Sequence, residues 1–498
     1  MNDIKILSDL FKKKYGFYPS DVTRLPGAGS GRVYYRLSGM EKEREDQEEG
    51  KECRCIGVSG ENVRDCRAFI NLSNIFLKEG IPVPRVYETA ENGMFYIQED
   101  LGECSLFSLI QSNLLSSEDT GHKNEVEELI ASCMRKLAEM QCVDKSKWEN
   151  YVEYAPFSRR QVFWDLNYFK YEFLKPSGID FDEEALENDF ERLASRIMDS
   201  SGEASGFMYR DFQSRNIMVT DGKPYFIDFQ GGRVGPSLYD AVSFLWQAKA
   251  GFSDEFRYRM LEVYAGEYGR IKNMSAEKMI ADAPLFALFR TLQVLGAYGL
   301  RGLVEKKAHF LESIPMALEN LSNLLRSRVI DAYPELKSAA ERLIADERFT
   351  IKEKKNYLTI KVFSFSYKKG YPSDYSGNGG GFMFDCRGMH NPGRYAEYKT
   401  LTGLDREVVD FLKEKGETDL FSERAFELVR PTVERYVKRG FTSLQIGFGC
   451  TGGQHRSVYC AEAVSKKLAA AFPTAVVEVC HREQRIEKVY NGKTGEGK

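Results

Sequence analysis

The sequence predicts two folding units of different class: an α+β unit in which a small β-rich lobe precedes a larger helical lobe, then a separate α/β unit. Three observations carry that expectation. Apolar runs between turn residues fill the first hundred positions, and helical spacing dominates from Ser105 to about Ile330. From about Asn356, strand-like runs alternate with helical ones. Charge is the third: the 498 residues hold 70 Lys and Arg against 74 Asp and Glu, yet from Thr350 onward the count is 25 against 18, a net of +7, and before it 45 against 56, a net of −11. Opposite signs suggest that one part handles an anionic ligand. A composition of 42% apolar, 13% aromatic and 29% charged residues builds real cores and excludes a disordered chain.

Taken in order, MNDIKILSDLFKKKYG reads as an amphipathic helix through Ile4, Leu7 and Leu10 and lacks the apolar core of a signal peptide. Val22 to Leu37 is a strand pair around glycines 27, 29 and 31, and the charged stretch 41–52 reads as a solvated hairpin tip. A strand at Arg54 to Val58, a helix at Val63 to Glu79, the rigid connector Ile81-Pro-Val-Pro and two strands ending at Glu99 complete a lobe of about residues 1–104. The helical lobe, about 105–331, is interrupted by a β segment at Phe207 to Phe229, and 332–355 reads as a charged helical linker. In 356–498, strands are expected at 357–365, 381–385, 443–448 and 475–479, with helices at 405–414, 422–437 and 457–471. Ten cysteines occur without C-x-x-C pairs or histidines at zinc spacing, which argues against a structural metal. No run of about 18 apolar residues offers a membrane span, so a cytoplasmic protein with reduced thiols is expected, with no membrane partner.

The densest chemistry is Tyr209-Arg-Asp211-Phe-Gln-Ser-Arg-Asn216, followed by Tyr225-Phe-Ile-Asp228. Asp211 and Asn216 have the D-x-x-x-x-N spacing of a kinase catalytic loop, and Asp228 ends a strand twelve positions later. Phosphoryl transfer needs one carboxylate to accept the proton of an attacking hydroxyl. It also needs oxygen ligands, here an amide and a second carboxylate, to hold Mg²⁺ on the phosphates of ATP. Asp211 is therefore expected as base, with Asn216 and Asp228 as metal ligands. Gly27, Gly29, Ser30 and Gly31 form a turn that can lay backbone N–H groups over phosphates. Two departures stand out: Tyr209 occupies the usual His position, and the strand expected to carry a phosphate-binding Lys offers only Arg54.

With Ile81-Pro-Val-Pro, Gln98-Glu-Asp-Leu-Gly102, Ile227-Asp-Phe-Gln-Gly-Gly, Tyr239-Asp240 and Leu292-Gln-Val-Leu-Gly-Ala-Tyr-Gly299, residues 1–331 resemble the aminoglycoside phosphotransferase and choline kinase superfamily. Within it they look closest to N-acetylmuramate/N-acetylglucosamine (AmgK-like) kinases. The resemblance implies a bilobal protein-kinase-like fold, ATP and Mg²⁺ as cofactors, and phosphorylation of an amino sugar, at its anomeric hydroxyl, as in peptidoglycan recycling. It also implies sugar contacts at Asp165, Asn167 and Arg215. The helix around Asp165 and Asn167 can equally serve to pack Trp164, Leu166 and Phe169 into the lobe.

In the basic part, Gly449-Cys450-Thr451-Gly452-Gly453-Gln454-His455-Arg456-Ser457 runs from a strand through glycines into a helix. Successive N–H groups and a helix N-terminus make an anion cradle there, with His455 and Arg456 able to add charge. The pattern C-x-x-G-x-x-R-S also fits the loop of cysteine phosphatases, but Gly449 stands where they carry His and no general-acid Asp loop is evident. Arg387 and His390, and with them His481 and Arg482, can converge on the same anion. Together with Ser364-Phe-Ser-Tyr-Lys-Lys-Gly370, Phe384-Asp-Cys-Arg387-Gly-Met-His390-Asn-Pro392 and Leu401-Thr-Gly-Leu-Asp405, these residues resemble the C-terminal domain of RapZ. RapZ is a bacterial RNase adaptor that binds an amino-sugar phosphate and a small regulatory RNA. The resemblance implies a sugar phosphate at the cradle, as regulator of the kinase. The alternative is a nucleotide- and amino-sugar-phosphate-sensing adaptor of RapZ type that engages RNA and has weak or no kinase activity.

Overall fold

Residue 2 onward folds at once into helix α1, Asn2–Tyr15, whose Leu7, Leu10 and Phe11 are buried against Leu37, Cys53, Cys55, Phe95 and Ile97. Ile4, expected on the same face, is 43% exposed. Asp3 in the first turn and Lys12, Lys13 and Lys14 in the last complement the helix dipole. The computed structural model describes residues 2–26, 31–41, 51–115, 120–201, 205–349, 357–372 and 381–491. They divide into two units, 1–304 with 313–349, and 305–312 with 350–498.

In the first unit, strands β1 (Asp21–Arg24), β2 (Val33–Met40), β3 (Glu52–Ser59), β4 (Val86–Thr89) and β5 (Phe95–Gln98) make an antiparallel sheet in the order β1-β2-β3-β5-β4. The pairing of Met40 with Glu52 supports the expected hairpin, whose tip lies outside the described residues. Helix α2, Val63–Lys78, is capped by the Asn62 side chain, which accepts the Arg64 N–H. Phe69 of α2 stacks on Tyr96 of the sheet and on Phe229, with ring centroids 5.5 and 4.8 Å apart. One aromatic column thus joins the sheet lobe to the segment that carries Asp228.

The helical lobe contains two ribbons. β7 (Ile217–Thr220) and β8 (Lys223–Phe226) pair around Asp221-Gly222, both at positive φ, as the turn residues predicted. β6 (Ser205–Met208) pairs with β9 (Arg233–Pro236). The β9 strand was not legible in the sequence, because Gly235 and Pro236 read as turn residues. Packing explains the glycine: a Cβ on Gly235 would meet the Met208 sulfur at 2.5 Å. The segment Ala276–Val304 is long and apolar enough to cross a membrane, but 61% of its most apolar window is buried inside the lobe, so its apolar faces are core. Of the stretch expected to be a linker, Pro334–Ala345 is a helix with Leu336, Ala339, Ala340 and Leu343 buried, and Asp189 accepts the Leu336 N–H at 2.8 Å. It is therefore part of the first unit's packing, since its apolar spacing needs a partner face.

The second unit holds a mixed sheet of β10 (Thr359–Ser366), β11 (Gly381–Asp385), β12 (Ser443–Cys450), β13 (Val476–His481) and β14 (Ile486–Tyr490), in the order β11-β12-β10-β13-β14. The first four strands are parallel, and β14, which sequence reading missed, adds antiparallel at the edge with every residue at least partly exposed. Helices Arg406–Lys415, Glu417–Arg439 and Arg456–Ala471 bury Val408, Leu412, Val429, Val433, Val464 and Leu468 with Ile360, Val362, Ile446 and Phe448. Ser366 pairs with Cys450, so the carboxyl ends of β10 and β12 lie side by side, where open α/β sheets bind ligands. The fold is thus a bilobal protein-kinase-like domain followed by a separate α/β domain.

Candidate active site and anion loop

The loop leading out of β6 is fixed from three sides. Asp240, fully buried, accepts the N–H groups of Tyr209 at 2.7 Å and Arg210 at 2.9 Å, and Gln141 donates to it at 2.8 Å. Burial pushes its carboxyl up to about 7 against those hydrogen bonds. Ser214 donates its N–H and its hydroxyl to Gln247 Oε1 at 3.0 and 2.8 Å. Tyr209, in the usual His position, donates its buried hydroxyl to the carbonyl of Ile227, so an aromatic residue performs the tie to the Asp228 segment. Its ring packs edge-on against Phe212, Phe226 and Phe229.

Within this frame Asn216 Nδ2 donates to the Asp211 carbonyl at 2.9 Å and sits 3.4 Å from Asp211 Oδ2. The Ile227 N–H donates to the Asn216 carbonyl at 3.0 Å, which brings Asp228 beside the loop. Arg210 and Asp228 hold φ of 78° and 69°, costly for non-glycine residues by about 1–3 kcal/mol each. Rigid neighbours sustain that strain on both sides of Asp211. The Asn216 amide nitrogen is committed to Asp211, leaving its carbonyl oxygen as the atom that can face a cation. An amide oxygen and a carboxylate suit a hard ion that takes its remaining ligands from phosphates and water. Among the described residues there is no cluster of three or more His, Cys, Asp or Glu able to hold a metal by itself.

The nucleotide end departs from expectation. Gly27, Gly29 and Ser30 lie outside the described residues; Gly31 is described and precedes β2. Arg54, expected to face the phosphates, donates instead to Asp100 Oδ2 at 3.2 Å, and its side chain is 43% exposed. Asp100 also takes Arg36 at 2.8 Å, so one nearly buried carboxylate gathers both arginines. The cation at the metal-ligand position is Arg32, 7% exposed, whose guanidinium donates to Asp228 Oδ1. Gln230 donates to the same oxygen at 2.8 Å. Sequence reasoning missed Arg32; its signal was its place one residue after Gly31.

On the acceptor side, Asp165 receives Arg210 Nη2 at 2.8 Å, while Arg210 and Arg290 each donate to the Tyr239 hydroxyl at 3.2 Å. Asn167 is half-buried on the same helix, Arg159–Phe169. Leu166 and Phe169 pack into the lobe, but Trp164 is 71% exposed. Arg215 is exposed and lies 4.3 Å over the Phe107 ring.

The second unit's loop converges on its own cysteine. Gly453 N–H donates to Cys450 Sγ at 3.2 Å and the Ser457 hydroxyl lies 3.1 Å from it. Burial alone would raise the thiol; hydrogen bonds from Ser457, Gln454 and Gly453 outweigh it and hold Cys450 below the ordinary thiol range. Ser366 Oγ donates to the Thr451 carbonyl at 2.8 Å, and Gly453 takes φ of 67° with Cβ space closed by Glu483. Gly452 has open space around it. His455 and Arg456, expected to add charge, buttress the loop instead. His455 Nε2 bonds the Tyr398 carbonyl at 2.9 Å, Gln454 donates to the Leu401 carbonyl at 2.6 Å, and Arg456 Nη1 donates to the carbonyls of Arg387 and Met389 at 2.8 and 2.7 Å. All three tie the loop to neighbouring turns through main-chain carbonyls.

The expected convergence of three His and Arg pairs is not present. His390 is exposed and bonds Glu417 at 2.8 Å. Arg387 pairs with Asp385 at 2.6 Å over the Tyr367 ring. His481 is buried between Ser364 at 2.9 Å and Glu462 at 3.1 Å. Glu462 also takes Lys488 at 2.6 Å and Tyr490 at 2.8 Å, and these partners outweigh burial to bring its carboxyl down to about 2.

A model of the phosphotransferase enzyme family matches residues 56–273, and one of the RapZ C-terminal domain matches residues 358–485. The chain is 32% identical over 170 residues to a nucleotide-binding protein of Lactobacillus helveticus, covering 34% of this chain and 54% of that protein. A nucleotide-binding protein of Thermotoga neapolitana is 38% identical over 132 residues, or 26% and 44% of the two chains. This chain thus spans about half the length of the curated relatives it matches. Similar solved structures include a choline kinase from Cryptosporidium parvum, with a TM-score of 0.45 and 13% identity over 68% of this chain and 100% of that one. An ADP-bound aminoglycoside phosphotransferase has a TM-score of 0.41 and 14% identity over 68% and 98%.

Proposed function

From the premise that the chain joins a domain of the phosphotransferase enzyme family to a RapZ C-terminal domain, we propose that it is an ATP-dependent small-molecule kinase of the cytoplasm. Its acceptor is the anomeric hydroxyl of an amino sugar such as N-acetylmuramate or N-acetylglucosamine, and its second domain binds a sugar phosphate as regulator. One observation carries the reading: Asp211, Asn216 and Asp228 are tied into one rigid group by the Asn216 amide on Asp211 and the Ile227 N–H on Asn216.

Asp211 accepts the proton of the attacking hydroxyl, and Asn216 fixes the rotamer that presents its carboxylate. Asn216 Oδ1 and Asp228 fit Mg²⁺, which when bound with ATP supplies charge neutralisation at the phosphates. Asp165, with Arg210 locked onto it, bonds ring hydroxyls, and exposed Trp164 offers a face for the sugar ring. In the second domain, a phosphate would sit on the loop of Thr451, Gly452 and Gly453 beside Cys450. ADP release over a panel of N-acetylmuramate, N-acetylglucosamine, glucosamine, choline and aminoglycosides tests the reading, with Asp211→Asn as control. Absence of turnover on every sugar would remove the kinase assignment.

One observation favours a second reading, a RapZ-type regulatory protein that binds nucleotide and RNA with weak or no turnover. The strand residue in the phosphate-binding position is Arg54, and it is committed to Asp100. Binding of structured RNA with a steep salt dependence, alongside absent sugar turnover, would favour it.

A further inference from the structure

The Arg32–Asp228 pair links the residue before β2, at the end of the glycine-rich sequence segment, to the candidate metal ligand across 196 residues of sequence. Arg32 is 7% exposed, and its guanidinium also faces the Tyr34 ring at 5.9 Å. A guanidinium withdrawn from water to that extent needs an anionic partner, because the cost of desolvating it exceeds what an aromatic face returns. Asp228 is that partner, and it is 34% exposed, so it stays reachable from the cleft.

We propose that Arg32 is the phosphate-contacting cation of the nucleotide site, parked on Asp228 until Mg²⁺ and a nucleoside triphosphate arrive together. The proposal rests on the kinase reading for the identity of the site and adds a residue and a partner exchange to it. When a divalent ion draws the Asp228 carboxylate, Arg32 loses the one carboxylate it pairs with among the described residues and must find another anion. The triphosphate that brings the ion also brings those oxygens. Arg32 directly follows Gly31 and immediately precedes β2, and a planar guanidinium bonds two phosphate oxygens at once. Arg54 is not available for this, being held by Asp100 together with Arg36. In this chain the cation reaches the phosphates from the start of β2, and Asp228 is neutralised in the absence of ligand.

Fluorescence titration of the full chain with adenosine and with Mg·ATP, in wild type, Arg32→Ala, Arg32→Lys and Arg54→Ala, tests this without requiring turnover. Arg32→Ala should weaken Mg·ATP at least tenfold and leave adenosine within twofold, and Arg32→Lys should fall between. Adenosine affinity reports that the site is folded. Should Arg32→Ala bind neither ligand, the ratio is read from Arg32→Lys, where an unchanged ratio would count against the proposal. Equal Mg·ATP affinity in wild type and Arg32→Ala, or a loss carried by Arg54→Ala alone, would overturn it. A protein that turns over no acceptor yet binds Mg·ATP through Arg32 would refute the kinase reading and keep this one; turnover untouched by Arg32→Ala would do the reverse.

Discussion

The Asp240 carboxylate accepts the main-chain N–H of Arg210 at 2.9 Å and so holds a non-glycine residue at a φ of 78°, one position before Asp211. The preceding N–H, of Tyr209, ends on the same carboxylate at 2.7 Å, so one side chain fixes two successive main-chain donors. Asp240→Ala leaves two buried donors without partners and should cost about 2–4 kcal/mol of stability, read from chemical unfolding. Turnover should fall with it.

Asp240 also makes a pH signature. Its folded carboxyl lies at about 7, above its ordinary 3.8, so the folded chain binds a proton that the unfolded chain has released. Stability from this group is complete below about 4 and declines as pH rises to about 7. The wild type should therefore lose stability relative to Asp240→Asn across that window and run parallel to it above. A constant difference from pH 4 to 8 would contradict the assignment.

In the second unit the sign is opposite. Glu462, held down to about 2 by His481, Lys488 and Tyr490, contributes stability that is present above its ordinary 4.5 and lost as pH falls toward 2. Glu462→Gln should cost on the order of 2 kcal/mol at pH 7 and progressively less under acid, read as the difference between denaturant midpoints. An unchanged difference at pH 3 would count against the network.

Cys450 should ionise before an ordinary thiol does. The pH-dependent thiolate absorbance of wild type minus Cys450→Ser should show one group titrating below the usual range, and Ser457→Ala should move that titration upward by removing the hydroxyl at 3.1 Å. Coincident titrations in wild type and Ser457→Ala would remove the role given to Ser457.

Arg456 spans from the loop to the 387–389 turn through one nitrogen. Arg456→Ala should release both carbonyls and reduce glucosamine 6-phosphate binding at least tenfold, measured by calorimetry on the full chain. Unchanged binding would mean that the loop stands without its buttress.

Much of this architecture was legible in the sequence. Periodicity marked α2, the β7–β8 turn and the four parallel strands, because each is apolar, regular and bounded by turn residues. β9 was hidden by its glycine and proline, and β14 by its half-exposed edge position, where apolar periodicity weakens. The spacing of Asp211, Asn216 and Asp228 foretold that one turn and one ribbon would gather them. The partner of each arginine was not legible. Arg54 and Arg456 read as anion binders and Arg32 was passed over, and whether each reaches a phosphate, a carboxylate or a carbonyl depends on contacts 46 to 196 residues away. Long, flexible cationic side chains carry little sequence signal about where their heads come to rest.

Asp211 acts as base for phosphoryl transfer to a sugar hydroxyl in the proposed reaction. ADP release with N-acetylmuramate or N-acetylglucosamine, compared between wild type and Asp211→Asn, tests it most directly. Turnover is expected in the wild type, with a loss of about 10²–10⁴-fold in the variant and adenosine and Mg·ATP binding retained. Sugar-dependent ADP release that survives Asp211→Asn unchanged would contradict it.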